Sequence, residues 1–427
     1  MPSTLPSTSA SPLAFARAMV PLLVGLALAV IAQLFLAPQL NAYDAGLVLN
    51  VGINIILAVS LTIVNGFTGQ FSIGHAGFLA VGGYVAGAIT YYTSIAIWGN
   101  AETHGGLLSS QSLNADTPVW YLARGDVLFA VAVLSGGIVA AGVGYLVGLP
   151  SLRLRGDYLA IVTLGFGEIV RVLIQQTSPT AKPQILRLAD HPLDGQLVYR
   201  WTERTPEGLK TIYTAVDDTS PLRLVTRLGG SLGFADTPDY TSFFWVTLAV
   251  VITLVVAFRV KYSTFGRAFL SIREDEIASE AMGVDTTKYK VRAFVLAAFF
   301  AGVAGGLYAH FKSMNPNEIG FARSFDFVIM VVLGGLGSIS GATIAAIIVT
   351  LLPEWLRFLE DYRMIIWSLA LILMMIFRPS GLLGVREVWD LWLKPAGKKP
   401  AGPGSGGAVG RSDPPAQSPA AASGGTP

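Results

Sequence analysis

The sequence contains no cysteine and little charge. Zero cysteines among 427 residues exclude a disulfide framework and a thiolate metal site, but they leave the cellular compartment open. Only 13% of the residues are charged, against about a quarter in ordinary soluble domains. Because 52% of the residues are hydrophobic, the chain is neither a soluble globular enzyme nor a disordered chain. The net charge of +2 says nothing about partners, and the lack of a basic block argues against nucleic acid.

Charged residues are missing from several long stretches, each a candidate membrane span. A helix needs roughly 20 apolar residues to cross the hydrocarbon core. Runs without Asp, Glu, Lys or Arg occupy residues 18–43, 45–101, 127–152, 240–258, 293–311, 327–353 and 364–377, and the run 158–174 is interrupted only by Glu168 and Arg171. Runs of this kind do not suit a β-barrel, whose strands alternate over short segments.

Two of these runs are predicted to hold two spans each, because glycine-rich breaks interrupt them at residues 65–69 and 334–341. The sequence therefore predicts an all-α fold, a polytopic transmembrane helix bundle with about ten spans, or about eight if short segments are re-entrant.

Lys and Arg in short loops predict the orientation of the bundle. Basic residues follow the run that ends at 152, fill the loop 259–292 and follow residue 377. We therefore expect these regions and both termini in the cytoplasm. Residues 175–239 are then expected outside it as a small folded flap.

Composition predicts three parts along the chain. Residues 1–17 form a cytoplasmic N-terminal segment, and residues 18–384 form the transmembrane domain. Residues 385–427 are expected to form a disordered cytoplasmic tail, because 396–427 are rich in Gly, Pro, Ala and Ser, a composition that cannot bury a core.

The loop 259–292 holds the most informative segment of the chain. Residues 273–282 favour a helix, acidic residues near its start suit the helix dipole, and Gly283 is placed to end it. Its apolar residues fall at helical spacing as a short stripe: Ile277, Ala278, Ala281, Met282 and Val284. Such a helix can lie on lipid, cap the bundle or dock into a groove of a partner, and composition leaves these three open.

Several stretches carry a resemblance to a known family. The segment SIREDEIASEAMGVDTTKYKVRAF, residues 271–294, resembles the EAA-type coupling loop of ABC-importer permeases. Four more stretches resemble the membrane subunits of branched-chain amino acid importers: NGFTGQFSIGHAGFLAVGGYVAG (65–87), LRLRGDYLAIVTLGFGEIVR (152–171), MVVLGGLGSISGATIAA (330–346) and FRPSGLLG (377–384). The matches run in order through most of residues 50–384, and the flap and the tail lie outside them.

The resemblance implies a division of labour between several chains. This chain would be the longer type of permease subunit, with the ABC-importer permease fold, and would pair with a second homologous permease in a bacterial inner membrane. Two ABC ATPase subunits would bind below, and a periplasmic binding protein would deliver branched-chain amino acids above. The residues implied in ATPase coupling are Arg273, Asp275, Glu280, Ala281 and Gly283.

The motor is expected in another chain, because the sequence has no G-x-x-x-x-G-K-[ST] phosphate loop. The subunit is accordingly expected to be no enzyme and to need no cofactor or metal.

Polar residues inside the apolar runs have two interpretations. Asn50, Asn54 and Asn65 lie on one approximate face of a span, and Ser72 and His75 follow in a patch of small residues. These residues can line a translocation path or hydrogen-bond neighbouring helices. For His75, a neutral ring bonded to a neighbouring helix is the favoured interpretation.

Glu168 and Arg171 are three residues apart and share one helix face, so we expect an intramembrane ion pair. A structural pair is favoured over a polar step for a zwitterionic substrate.

Two other functions compete with amino acid import. The first is a related ABC permease for urea, short amides or another small solute, because the soluble binding protein largely chooses the ligand in such systems. The second is an ion-coupled secondary transporter, which the near absence of carboxylates inside the predicted spans disfavours. A membrane enzyme is disfavoured because no cluster in the spans has metal or nucleophile spacing.

Overall fold

A computed structural model describes residues 12–109, 121–151, 157–187, 192–205, 208–216, 218–234, 236–378, 380–388 and 390. Its α-helices are, in chain order, α1 (Pro12–Ile31), α2 (Ala42–Leu61), α3 (His75–Trp98), α4 (Arg124–Ser151), α5 (Asp157–Gln175), α6 (Pro221–Val225), α7 (Phe243–Lys261), α8 (Thr264–Glu274), α9 (Glu276–Ala281), α10 (Thr286–Ala309), α11 (Phe321–Gly334), α12 (Ile339–Trp355) and α13 (Arg363–Phe377). Three strands, β1 (Lys182–Ile185), β2 (Leu197–Thr205) and β3 (Gly208–Ala215), lie between α5 and α6. Short 3-10 or π-helical turns occupy Ala32–Leu36, Ala37–Gln39, Thr62–Phe67, Leu107–Ser109, Gly230–Leu232, Pro316–Ile319 and Leu356–Tyr362.

The long helices confirm the predicted multi-pass helical architecture. Within the described residues, eight helices are long and apolar enough to cross a membrane, and they include α1 to α5, α7, α10 and α12. Helices α11 and α13 have 14 and 15 residues. They therefore reach only about 21–22 Å, less than the roughly 30 Å of a hydrocarbon core. The predicted count of about ten spans depends on these two short helices.

Both predicted breaks fall where the glycine-rich stretches lie. Helix α2 continues through the π-helical turn Thr62–Phe67, and α3 starts afresh at His75. Helix α11 ends at Gly334, and α12 begins at Ile339 after Ser338, whose hydroxyl accepts a hydrogen bond from the Gly341 N–H at 3.0 Å. Positive-φ glycines thus divide each apolar run into two helices, and the second break adds a side-chain cap at Ser338.

Helices α3, α4 and α10 pack together more closely than ordinary side chains would allow. A Cβ atom on Gly82 of α3 would lie 2.3 Å from the Cα atom of Gly302 on α10. One on Gly136 of α4 would lie 2.4 Å from the carbonyl oxygen of Gly82. Only glycine permits these approaches, and they bring the three backbones into contact as small-residue interfaces do in membranes.

The flap contains a small antiparallel sheet, which departs from the all-α prediction. Strand β2 pairs with β1 and with β3. Tyr199 and Trp201 on β2 are buried. The sheet is held to the end of α3, because the Tyr91 hydroxyl donates to the Ala181 carbonyl at 3.2 Å and the Tyr92 ring meets that of Tyr199 at 6.0 Å.

The helix bundle has a flap end and a loop end. Helix α7 runs from the flap (residues 175–239) to the loop 259–292, so the flap end and the loop end lie at opposite ends of this helix. The predicted segment 1–17 lies mostly, and the tail from 391 onward wholly, outside the described residues. The predicted tail starts at residue 385, but the packed unit extends to Val388, because Glu387 is buried beneath α12.

Candidate functional site

The loop end carries two short helices where the sequence predicts one. Arg273 and Glu274 finish α8, and Asp275 adopts an extended conformation with φ −158° and ψ 113°. Its carboxylate then accepts a hydrogen bond from the Ala278 N–H at 3.0 Å and caps α9. The prediction of one helix over 273–282 is therefore wrong at residue 275, because an aspartate at this position competes for the backbone as an N-cap.

Helix α9 turns its apolar stripe outward. The side chains of Ile277 and Met282 are 68% and 85% exposed, and Ala278 and Ala281 are exposed beside them. Gly283 has φ +85° and redirects the chain toward α10, as the sequence predicts. An apolar face on a short exposed helix is the arrangement that helix-in-groove docking requires.

Two polar contacts fix the base of α9 against α10. The Thr286 hydroxyl donates to the Glu280 carboxylate at 2.6 Å. The Lys290 ammonium forms an ion pair with Glu276 at 2.6 Å, and the lysine side chain is only 7% exposed. The helix is therefore attached to a long helix of the bundle and can transmit displacement to it.

Arg273 is half-buried, and its side chain bonds to the backbone of the bundle. Its Nη1 atom donates to the Gly66 carbonyl at 2.9 Å and to the Leu336 carbonyl at 3.2 Å. These two carbonyls belong to the two glycine-rich breaks. The structure thus brings Arg273 together with the breaks, whereas Asp275, Glu280, Ala281 and Gly283 stay on α9 and its exit.

Glu387 is a site residue that the sequence analysis assigns to the tail. It accepts hydrogen bonds from the Ile339 and Ser340 N–H groups at 3.1 and 2.9 Å and is paired with Lys261. Burial alone would raise the pKa of the Glu387 carboxyl, but the hydrogen bonds from Lys261, Ser340 and Ile339 lower it below its ordinary value.

At the flap end, a cleft of about 760 Å³ opens between the start of α2, the end of α10, the start of α11 and the end of α12. Asn50 lines it, and the buried Asn50 Oδ1 atom has no hydrogen-bond partner among the described residues. Charged residues of both signs surround it: Lys312, Glu318, Arg323, Asp326 and Glu354. A cleft with this lining can accommodate a small solute that carries both an ammonium and a carboxylate group.

The charged lining lies outside the apolar runs, so the polar residues within those runs do not reveal it. Arg323 and Asp326 are three apart just before the run that starts at Phe327, a spacing that could have revealed them. In the structure they pair at 3.6 Å, and Lys312 pairs with Glu318 at 3.4 Å.

The remaining predicted path residues divide between the cleft and the interior. Next to the cleft, Asn54 donates to the Thr350 hydroxyl at 2.9 Å and accepts from Arg323 at 3.4 Å. Asn65 and Ser72 bond to each other, with the Ser72 N–H donating to Asn65 Oδ1 at 3.2 Å. His75 is buried, and its Nε2 atom lies 2.8 Å from the Ser60 hydroxyl. Asn65, Ser72 and His75 thus make interior contacts, and none of them lines the cleft.

Glu168 and Arg171 form the expected ion pair, with Nε and Oε2 2.7 Å apart. The second oxygen of Glu168 accepts the Phe321 N–H at 2.9 Å and so caps the first turn of α11. This contact gives the pair a structural role, because it fixes the start of a helix that lines the cleft.

Long apolar helices around a polar cleft define a multi-pass membrane protein of the transporter class. Residues 45–377 match the family described as branched-chain amino acid transport system, permease component. The chain belongs to this family.

Individual relatives support the assignment. The high-affinity branched-chain amino acid transport system permease protein LivM of Salmonella typhimurium is 33% identical over 342 residues, which cover 78% of this chain and 68% of the relative. The LivH permease of Escherichia coli is 31% identical over 148 residues, 34% of this chain and 47% of the relative. The probable LivM of Methanocaldococcus jannaschii is 22% identical over 375 residues, 79% of this chain and 92% of the relative. No solved structure matches the chain.

Proposed function

We propose that this chain is a permease subunit of an ATP-binding-cassette importer and forms part of the path for branched-chain amino acids. The observation that carries the proposal is the family match over residues 45–377, whose relatives are named as permeases of branched-chain amino acid transport. The charged cleft supports it, because Arg323 and Lys312 suit a substrate carboxylate while Glu318 and Asp326 suit its ammonium group.

The proposed assembly contains a second homologous permease, two ABC ATPases and a periplasmic binding protein in the inner membrane. Similarity to both LivM and LivH relatives supports two related permeases. The exposed stripe of α9 supports ATPase docking, since Ile277 and Met282 would otherwise remain in water. Both termini are proposed to lie in the cytoplasm, because the loop 259–292 is rich in Lys and Arg and short basic loops stay on the cytoplasmic side.

The mechanism follows from the two ends of the bundle. The binding protein releases substrate at the flap end, where the cleft and Asn50 lie. ATP-driven closure of the ATPases moves α9, and α9 is fixed to α10 through Glu280 and Glu276. The helices that line the cleft then rearrange and release the substrate on the other side. ATP hydrolysis occurs in the ATPases, so this chain acts as a transport subunit and not as an enzyme.

Uptake by the reconstituted complex tests this proposal. Proteoliposomes containing this chain, its second permease and its ATPases should accumulate leucine, isoleucine or valine when the binding protein is outside and ATP is at the ATPase side. Urea and short amides serve as competing solutes. Uptake of these instead of the amino acids would identify the related permease class, and uptake driven by an ion gradient without ATP would contradict the ABC assignment.

A further inference from the structure

The loop 259–292 is bonded to the glycine-rich breaks at two separate points. Lys261, which ends α7, donates from Nζ to the Gly337 carbonyl at 2.8 Å. Arg273, which comes just before α9, donates to the carbonyls of Gly66 and Leu336 at 2.9 and 3.2 Å. We call these two cations and their three carbonyl acceptors the carbonyl clamp.

Glycine conformations at the second break shape the clamp's acceptors. Gly335 and Gly337 have φ +110° and +101°, values that L-residues rarely adopt. The chain here follows neither helix nor strand, so its carbonyls are not consumed by a regular ladder. A Cβ on Gly337 would also lie 2.8 Å from the Arg273 Nη1 atom, so glycine leaves room for the guanidinium there.

The same break is held from its other side by the segment after α13. The Leu382 and Leu383 N–H groups donate to the Leu333 and Gly334 carbonyls at 2.8 and 3.2 Å. Glu387 bonds to the first residues of α12 and to Lys261. The break therefore lies between the loop and this segment, and a displacement of the loop acts on a supported piece of backbone.

The helices that meet at the clamp also line the cleft. Helix α2 carries Asn50 at the cleft and continues into the turn Thr62–Phe67, which contains Gly66. Helix α11 carries Arg323 and ends at Gly334, where the second break begins. Helix α12 starts just after that break and ends at the cleft with Glu354 in its last turn.

We propose that the carbonyl clamp is the mechanical connection between α9, which we call the coupling helix, and the cleft at the flap end, with Lys261 and Arg273 as its positioning residues. Movement of α9 displaces Arg273 directly, because only Glu274 and Asp275 lie between Arg273 and α9. The displaced arginine then moves the ends of α2 and α11, to whose following carbonyls it is bonded. The cleft then opens or closes at the far ends of these helices. This inference rests on the proposed transport function and adds a route from the loop to α2, α11 and α12.

The absence of native cysteine makes the cleft open to a specific reporter. A single Ala322→Cys substitution places a thiol in the cleft at the start of α11, and its rate of reaction with a water-soluble maleimide reports cleft access. The reaction is measured on the full complex in proteoliposomes, with and without ATP and vanadate. In the otherwise unchanged chain we expect ATP to change this rate.

Arg273→Gln is combined with the reporter, and Arg267→Gln is the matched control. Arg267 lies on the same helix, is exposed, and has no side-chain bond among the described residues. We expect Arg273→Gln to abolish the ATP effect on the maleimide rate and to lower substrate moved per ATP hydrolysed by roughly tenfold. Arg273→Lys keeps a charged donor and should recover part of the ATP effect and part of the substrate moved per ATP. Arg267→Gln should leave both quantities unchanged.

Each outcome decides the inference. An unchanged ATP effect in Arg273→Gln would overturn it, and so would a loss of ATPase binding, because Arg273 would then serve assembly instead of transmission. Lys261→Gln provides a second test at the other end of the loop, with the same expectation and ATPase binding measured in parallel. If the unmodified complex does not transport amino acids, the result counts against the proposed function. If the unmodified complex transports them and the variants behave like it, the result counts against the clamp.

Discussion

The two sides of the bundle are held together in different ways. On one side, α3, α4 and α10 meet through glycines at which an added Cβ atom would overlap the neighbouring backbone. On the other side, α11 and α12 meet α2 through side-chain hydrogen bonds, because Asn54 donates to the Thr350 hydroxyl and accepts from Arg323. Close backbone packing has one stable arrangement, whereas polar contacts can exchange partners. We infer that the glycine side is a fixed frame, whose three helices keep their packing and move as one body when α9 displaces α10, and that the polar side is the moving side, which rearranges against it.

Enlarging a glycine in the frame should have the largest effect. A Cβ on Gly305 would lie 2.0 Å from the Leu79 carbonyl oxygen, so Gly305→Leu forces α3 and α10 apart. We expect a loss of about 1–3 kcal/mol of unfolding free energy or more, measured by thermal unfolding in detergent together with the yield of folded protein. The control is Gly142→Leu on α4, because a Cβ there meets nothing within 4 Å. Equal stability of the two variants would contradict the fixed frame.

Changes at the coupling helix should stop transport without unfolding the protein. Gly283→Pro cannot keep φ +85°, because proline fixes φ near −65°. Glu280→Lys loses the bond from Thr286 that attaches α9 to α10. We expect uptake to fall at least about tenfold while the amount in the membrane stays unchanged.

The matched control for the coupling helix is Glu274→Lys, the same charge reversal at an exposed position before α9. Normal uptake by Glu280→Lys or Gly283→Pro would remove the coupling role from this helix.

Two asparagines on α2 should separate function from stability. Asn50→Leu removes a buried oxygen beside the cleft that has no partner among the described residues, so we expect uptake to fall about 2–10-fold with stability preserved. Asn54→Leu removes the bond to Thr350 and should cost about 1 kcal/mol of unfolding free energy. Uptake kinetics and thermal unfolding of both variants check this, and a stable Asn54→Leu beside an unstable Asn50→Leu would reverse the assignment.

Acid should weaken the contacts of the moving side. The folded-state pKa of Glu387 is lowered, so the unfolded chain binds the proton more readily. The stabilisation by this carboxylate is therefore present above its ordinary pKa of about 4.3 and is lost as the pH falls through the lower folded value. We expect Glu387→Gln to be less stable than the natural chain at pH 7, with the difference shrinking below about pH 4. A pH-independent difference in thermal unfolding would contradict this account.

The smallest effect is expected from the C-terminal tail. Deletion of residues 401–427 should leave uptake unchanged, because their composition cannot bury a core. Uptake measured beside the full chain checks this, and an inactive truncated protein would show that the tail takes part in transport.

Much of the architecture follows from residue order alone. Apolar runs predict the long helices, and glycine-rich stretches predict both breaks, since these signals are local. The stripe on α9 and the turn at Gly283 are local for the same reason. The cap at Asp275 was missed because an aspartate there can either extend a first turn or end a helix. The sheet of the flap was missed because a three-stranded pairing depends on residues far apart in the sequence.

The functional cleft is the least predictable part. Asn50 is visible as a polar residue in a span, but Lys312, Glu318, Arg323 and Asp326 lie between predicted spans and look like ordinary loop charges. Only the packing of α2, α10, α11 and α12 gathers them around one space.

The sequence by itself determined that this chain crosses a membrane, where its helices break and which short segment carries an apolar stripe. Each of these properties depends on the hydrophobicity or conformational preference of neighbouring residues. The tertiary structure decided that Lys261 and Arg273 donate hydrogen bonds to carbonyls more than 60 residues away in the sequence. It also decided that Glu387 is buried at the start of α12 and that charged residues from separate segments line one cleft. Such contacts join distant parts of the chain, and folding alone brings their partners within bonding distance.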